Sequence, residues 1–182
     1  MKSELKKIVQ ADMSRYYDKV PVMKPIQVRY LKTYRKAAYY KKKSLRGMYY
    51  RFRLKQLSEK TGIQIPTKAQ IGKGFYIGHF GTIIINPDAI IGENVNVATG
   101  VTIGKTNRGN SKGVPKIGNS VWIGTNAVIV GNIKIGDDVL IAPNAYVNVD
   151  IPDHSIVIGN PAVIHPRENA TEGYINNRVE EK

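Results

Sequence analysis

Three histidines are the side chains in this sequence best suited to proton transfer near neutral pH. His79 stands in Tyr76-Ile77-Gly78-His79-Phe80-Gly81-Thr82. An imidazole there is a candidate general base, provided a rigid wall projects it into a groove beside a hydroxyl. The plainer alternative for a lone histidine is a surface or packing role. His154 follows Pro152-Asp153 in a turn and reads as structural, and His165 precedes Pro166 and reads as exposed. No His-x-His pair or carboxylate cluster has metal-ligand spacing, so no catalytic metal is expected. The chain has no cysteine, which removes disulfides, thiolate catalysis and Cys-ligated zinc and fits a reducing cytoplasm. There is no nucleophile elbow, P-loop or dinucleotide fingerprint.

The element that must position His79 is periodic. From Ile117 to Pro152 an aliphatic residue returns every six positions, at Ile117, Ile123, Ile129, Ile135, Ile141 and Val147. Earlier runs lead with Ile65, Ile71 and Ile77, then Ile85, Ile91, Val97 and Ile103. A helix needs three-and-four spacing and a sandwich strand strict alternation. A period of six predicts a mainly β fold, a solenoid of short strands and turns whose leaders fill a narrow core. Twelve or so hexads at three per turn predict about four coils. A β-sandwich with coincidental spacing is the competing reading. The phase breaks twice. Two residues are inserted around His79-Phe80-Gly81-Thr82. The step from Ile103 to Ile117 spans Lys105-Thr106-Asn107-Arg108-Gly109-Asn110-Ser111-Lys112-Gly113, which is too polar to make a coil wall and must loop out. Insertions in a solenoid usually emerge on one face, often the binding face.

The chain divides into a helical segment over 1–62, a solenoid over 63–165 and a polar, mobile tail over 166–182. The net charge of +14 belongs to the first of these, where 18 Lys and Arg face 4 Asp and Glu; beyond residue 62 the charges balance. Helices are expected over 2–20, 26–43 and 45–60, with Ser44 capping the third and Gly62 ending it. The Pro21 and Pro25 stretch separates the first two. Eight of the eleven tyrosines lie in this segment among its lysines and arginines. That mixture suits an interfacial surface against anionic lipid, or a helical cap that packs its tyrosines on the solenoid and leaves the lysines in water. No nucleic-acid recognition motif accompanies the charge, so no nucleic acid is expected. The N-terminus lacks an apolar signal region and no stretch approaches a membrane span, which places the chain in the cytoplasm, with the inner face of the membrane as an option.

The hexads, the Gly-His-Phe-Gly-Thr context of His79, the looped-out segment and the ending Ile158-Gly159-Asn160-Pro161-Ala162 resemble the hexapeptide-repeat acyltransferases, most closely the serine acetyltransferases, over residues 45–165. The resemblance implies a left-handed parallel β-helix, a homotrimer, and acetyl-CoA bound between neighbouring subunits. It also implies direct transfer, with His79 as the base that deprotonates the acceptor hydroxyl. Cofactor contacts carry over to Gly104, Lys105, Gly124, Thr125, Ala142 and Pro143, with Gly159, Pro161 and Ala162 shaping the cleft. Lys105, Arg108, Lys112 and Lys116 could meet CoA phosphates. The departures concern the acceptor. Gly78 replaces the family's Asp before the histidine, and Gln64 replaces an upstream Asp that orients the imidazole. Gly113 and Val114 replace the Arg that holds the serine carboxylate and a second His. Losing a bidentate carboxylate anchor favours a sugar hydroxyl as acceptor, in surface-polysaccharide synthesis. L-serine in cysteine biosynthesis is the alternative, with Arg108 or Lys112 as substitute anchors, and a non-catalytic binding solenoid is the remote one.

Overall fold

The structure, a computed structural model, describes residues 2–16 and 25–180. Three helices precede the solenoid: α1 (Lys2–Ser14), α2 (Ile26–Tyr39) and α3 (Leu45–Thr61). The Ser44 hydroxyl accepts the Gly47 N–H at 3.1 Å and caps α3. Gly62, left-handed at φ 77°, ends α3, and its N–H reaches the Ser58 carbonyl. The first two helices are shorter than the sequence pattern implied, while α3 matches its expected span to within one residue. Helix α2 stops at Tyr39, because Lys41–Ser44 form the turn into α3. The first helix ends by Ser14; of the expected break from Val20 to Pro25 only Pro25 is described, standing at the N-cap of α2, and the rest lies outside the described residues.

The strands follow in threes, one per wall. Sheet A contains β1 (Ile63–Gln64), β4 (Ile83–Ile85), β7 (Thr102–Gly104), β10 (Val128–Val130) and β13 (Tyr146–Val147). Sheet B contains β2 (Gln70–Ile71), β5 (Ile90–Ile91), β8 (Lys116–Ile117) and β11 (Lys134–Ile135), continued by a parallel bridge from Ile135 to Ile151. Sheet C contains β3 (Tyr76–Ile77), β6 (Asn96–Val97), β9 (Trp122–Ile123), β12 (Val139–Ile141) and β14 (Ser155–Ile158), closed by the antiparallel β15 (Val163–Pro166). All other pairings between named strands are parallel and in register, such as Ile85 on Ile103 and Ile103 on Ile129. The fold is therefore a parallel β-helix of about five turns behind a helical segment. The expected four turns fell short because the bridge at Ile151 and strand β14 complete a last coil beyond Val147, where the hexad count stopped.

Every hexad leader is buried, and so is a second stripe two residues before each, from Ile63, Ala69 and Phe75 up to Val139 and Ala145. Two inward side chains per hexad make a core too narrow for anything else, which is why the turns between walls carry small residues. Gly124 is the clearest case. A Cβ there would lie 2.6 Å from the Pro143 nitrogen of the next coil.

A solenoid leaves unpaired backbone groups at its first coil, a template for unwanted strand addition. Here α1 and α2 cover them with side chains. Arg35 forms a buried bidentate pair with Asp12 at 2.7 and 3.1 Å, and donates to the carbonyls of Ile71 and Gly72. Asp12 also accepts the Phe75 N–H. The Tyr16 hydroxyl donates to the Ile77 carbonyl and accepts the Ile77 N–H, acting as the missing strand at that residue. Tyr34 donates to Ala69, and Tyr30 accepts from Ile65. The cap reading thus holds for Tyr16, Tyr30 and Tyr34.

Residues 167–180, read from the sequence as a mobile tail, lie across the outer face of sheet C. Asp138 accepts the backbone N–H groups of Ala170 and Thr171 and the Thr171 hydroxyl. Asn94 exchanges two hydrogen bonds with the Val179 backbone, and Tyr174 packs edge-on against Trp122 at 4.9 Å. Thr171 and Ile175 are buried. Polar composition misled because the ladder of Asn and Asp on sheet C supplies polar partners for a polar strap.

Candidate active site

His79 sits where the chain turns from sheet C into sheet A between the first and second coils. Its backbone is held on every side. The Gln27 amide of α2 donates to the Gly78 carbonyl at 3.1 Å, and the Gly78 N–H reaches Val97. The Gly81 N–H reaches the Thr61 carbonyl at the end of α3, and the Thr99 hydroxyl donates to the Phe80 carbonyl. The imidazole itself is exposed, and Phe80 beside it is exposed as well. Among the described residues no carboxylate hydrogen-bonds to it. This matches the replacement of an acidic residue by Gly78, whose carbonyl instead ties the turn to Gln27 of α2.

The same corner repeats in each coil, and the stacked turns form a column. Above Gly78-His79 stand Ala98-Thr99, Gly124-Thr125, Ala142-Pro143 and Gly159-Asn160, linked by N–H to carbonyl bonds from Ala98 to Ile123, Gly124 to Ile141 and Ala142 to Val157. The structure thereby brings His79, Gly124, Thr125, Ala142, Pro143 and Gly159 onto one edge. Pro161 and Ala162 follow in the turn between β14 and β15. A cavity of about 480 Å³ opens beside the upper column, walled by Trp122, Leu140, Ile156 and Ile158 and bordered by Arg167. Trp122, Leu140, Ile156 and Arg167 were not singled out from the sequence; for the three apolar ones the signal is an outward position on sheet C, visible once the inward stripe is assigned.

Gly104, Lys105, Arg108 and Lys112 are not on that edge. The loop leaves sheet A at its other margin, on the way to sheet B. Thr106 and Gly113 pair antiparallel through two bonds of 3.0 Å, which makes residues 107–112 the tip of a hairpin. Lys105, Arg108, Lys112 and Lys116 are exposed. The two insertions therefore emerge at opposite margins of sheet A and one coil apart, not on a common face. Gln64 lies between them, on the outer surface of β1. Gly113 stands at φ 144°, and a Cβ there would come 2.7 Å from the Asn132 Cβ. The hairpin is thus built for a glycine at the position where the resemblance implies an arginine.

Of the other histidines, His154 donates or accepts at 3.0 Å with Asp138 and lies 3.6 Å from Glu168, which fits a structural role. Its hydrogen bond to Asp138 raises its pKa above the ordinary 6.5. Burial works to raise the Asp138 carboxyl, but hydrogen bonds from Thr171, His154 and two backbone N–H groups outweigh it and hold the carboxyl below its ordinary value. His165 is exposed on β15. No group of three or more His, Cys, Asp or Glu among the described residues is arranged to hold a metal.

The bacterial transferase hexapeptide (six repeats) family matches residues 115–148, within the three-walled parallel β-helix. Beyond that match the chain is similar to serine acetyltransferases. It is 40% identical over 107 residues to serine acetyltransferase 4 of Arabidopsis thaliana, covering 59% of this chain and 30% of the relative. It is 38% identical over 113 residues to a serine acetyltransferase of Staphylococcus aureus, covering 62% of this chain and 53% of the relative. The chain thus spans about half the length of these relatives, or less. Among solved structures, Neisseria gonorrhoeae serine acetyltransferase in complex with serine superposes with a TM-score of 0.74 at 29% identity, covering 90% of this chain and 69% of that one. The Brucella abortus enzyme in complex with coenzyme A gives 0.77 at 26%, covering 91% and 69%. Serine, not a sugar, is the acceptor named across these relatives, so the preference for a sugar finds no support among them.

Proposed function

We propose that this chain is an acetyl-CoA-dependent L-serine O-acetyltransferase of the cytoplasm, serving cysteine synthesis. The observation that carries the reading is the column: an exposed histidine on a rigid turn at one end of a groove edge made of small residues and backbone. Such an edge accommodates an extended thioester arm, since Gly124, Thr125, Ala142 and Pro143 present little side chain, and Gly159, Pro161 and Ala162 close its far end. Serine replaces a sugar as the acceptor because the relatives act on serine and the hairpin offers cations for its carboxylate.

In this reading the His79 imidazole takes the proton from the serine hydroxyl as the oxygen attacks the acetyl carbon. The carbonyl electrons move onto oxygen, then return as the carbon–sulfur bond breaks. The imidazolium gives its proton to the departing CoA thiolate, leaving O-acetylserine and a neutral histidine. No metal enters the scheme. With no carboxylate bonded to it, the imidazole is oriented by the turn that Gln27, Thr61 and Thr99 hold.

Arg108 or Lys112 would bind the serine carboxylate, near Gln64, and Gly104 with Lys105 would approach the cofactor. One chain cannot deliver them to its own His79, because sheet A separates the two margins. A neighbouring copy packed on sheet A can, which makes a homotrimer with shared clefts the assembly we propose. The test is thiol release from acetyl-CoA against serine, amino sugars and neutral sugars. Serine-dependent release supports the reading; release only with a sugar would return the acceptor to the polysaccharide class.

A further inference from the structure

The two readings of the basic, tyrosine-rich segment divide between its helices. Tyr16, just after α1, and Tyr30 and Tyr34 of α2 are buried against the solenoid, whereas α3 turns only Gly47, Leu54, Leu57 and Thr61 inward. Its opposite side carries Leu45, Met48, Tyr49 and Phe52, at the i, i+3, i+4, i+7 spacing of a single stripe. These four are 86, 58, 58 and 61% exposed. Large apolar side chains gathered on one stripe and left in water mark an interaction site more than an accident of surface composition.

The borders of the stripe say what covers it. At about 100° per residue, Arg46, Arg53 and Lys60 fall along one border and Lys55 along the other. Lys41, Lys42 and Lys43, all exposed, stand at its N-terminal end. Glu59 is the one acidic residue of the helix. An apolar stripe framed by cations, on a helix lying at the surface, is the arrangement that beds into an anionic bilayer with the cations at headgroup level. A second copy of the same helix fits poorly, since it would bring 18 Lys and Arg against only 4 Asp and Glu per segment face to face with their like. The strap over residues 167–180 is already engaged on sheet C. No described helix is long and apolar enough to cross a membrane, so the contact is one of lying on the surface.

We infer that α3, through Leu45, Met48, Tyr49 and Phe52 framed by Lys41–Lys43, Arg46 and Lys55, docks this protein on an anionic lipid surface. The inference is independent of the catalytic reading: α3 meets the His79 turn only through the Thr61 carbonyl, and its stripe faces away from the solenoid.

The test is cosedimentation of the full chain with vesicles of phosphatidylserine mixed with phosphatidylcholine, and with phosphatidylcholine alone. Binding is expected on the mixed vesicles, falling as salt is raised, with little on the neutral ones. The Leu45→Ser/Phe52→Ser variant changes two exposed positions and should fold, as circular dichroism will register, yet lose at least about tenfold in vesicle affinity. Lys41→Gln/Lys42→Gln/Lys43→Gln should lose on the order of a hundredfold on mixed vesicles, from about 1 kcal/mol per cation, and nothing on neutral ones. Three results would overturn the inference: equal binding to neutral and anionic vesicles; unchanged binding by the serine variant; or, without lipid, a larger assembly of the wild type in sedimentation velocity that the serine variant abolishes. The last would assign the stripe to a second copy of the chain.

Discussion

The two margins of sheet A are opposites. The margin toward sheet C is a stacked column in which each turn is hydrogen-bonded to the next and the first is clamped by α2 and α3. The margin toward sheet B carries a hairpin tied by one bridge at its neck, Thr106 to Gly113, and by Asn132 to the Ser111 carbonyl near its tip. Rigidity suits the proposed role of His79 as base, since an imidazole must stand still while a proton moves. A hairpin suits the recognition of an acceptor and reach toward a second subunit. The difference teaches that one fold can hold a rigid turn and a projecting hairpin at opposite margins of a wall; under the proposed function these separate chemistry from specificity, and assembly would reunite them.

The largest expected effect falls on the column. His79→Ala should lower turnover about 10²–10⁴-fold, the range for a lost general base, while acetyl-CoA binding persists; steady-state kinetics and a CoA-binding titration separate the two. Next is the clamp beneath it. Asp12→Ala leaves the buried Arg35 charge without its partner, and denaturant unfolding should register a loss of about 3–5 kcal/mol. The hairpin should answer differently. Arg108→Ala removes an exposed cation, so stability should be unchanged within about 0.5 kcal/mol, yet the KM for serine should rise about tenfold or more if Arg108 holds the carboxylate. A KM that stays put in Arg108→Ala and rises in Lys112→Ala would move the anchor along the hairpin without moving it off.

The smallest effect concerns the strap over sheet C. His154 has a raised pKa, so its contribution is present below 6.5 and is lost as pH rises through the raised value. Asp138 has a lowered pKa, so its contribution is present above 3.8 and is lost as pH falls through the lowered value. Docking should therefore be firmest between those two limits and loosen on the alkaline side. Trp122, the only tryptophan and in contact with Tyr174 of the strap, provides the signal. Its fluorescence should change with pH in the wild type, and the alkaline arm should flatten in His154→Gln.

These contrasts track what was legible in the sequence. A strict period of six can only come from stacked coils, so the walls, their leaders and the corner residues of the column were readable one by one. The second inward stripe escaped because alanine, valine and isoleucine share it without a fixed type. The margin from which the hairpin leaves was not readable, since an insertion announces its length and not its exit. The Asp12–Arg35 pair is a contact across 23 residues; its one signal was a carboxylate within the apolar stripe of α1. The strap went unread because polar composition resembles solvated chain unless its polar partners on sheet C are known.

The central claim, that His79 and the basic hairpin meet only between subunits, can be tested by mixing. His79→Ala and an Arg108→Ala/Lys112→Ala variant, each nearly inactive alone, are unfolded together and refolded as one pool. Across the refolded pool about one cleft in four then pairs an intact His79 with an intact hairpin from its neighbour. Serine acetylation is predicted to recover to about that fraction of the wild-type rate, from assemblies that sediment as trimers. Mixed trimers that form and regain nothing would contradict the account, because they would mean that each chain completes its own site.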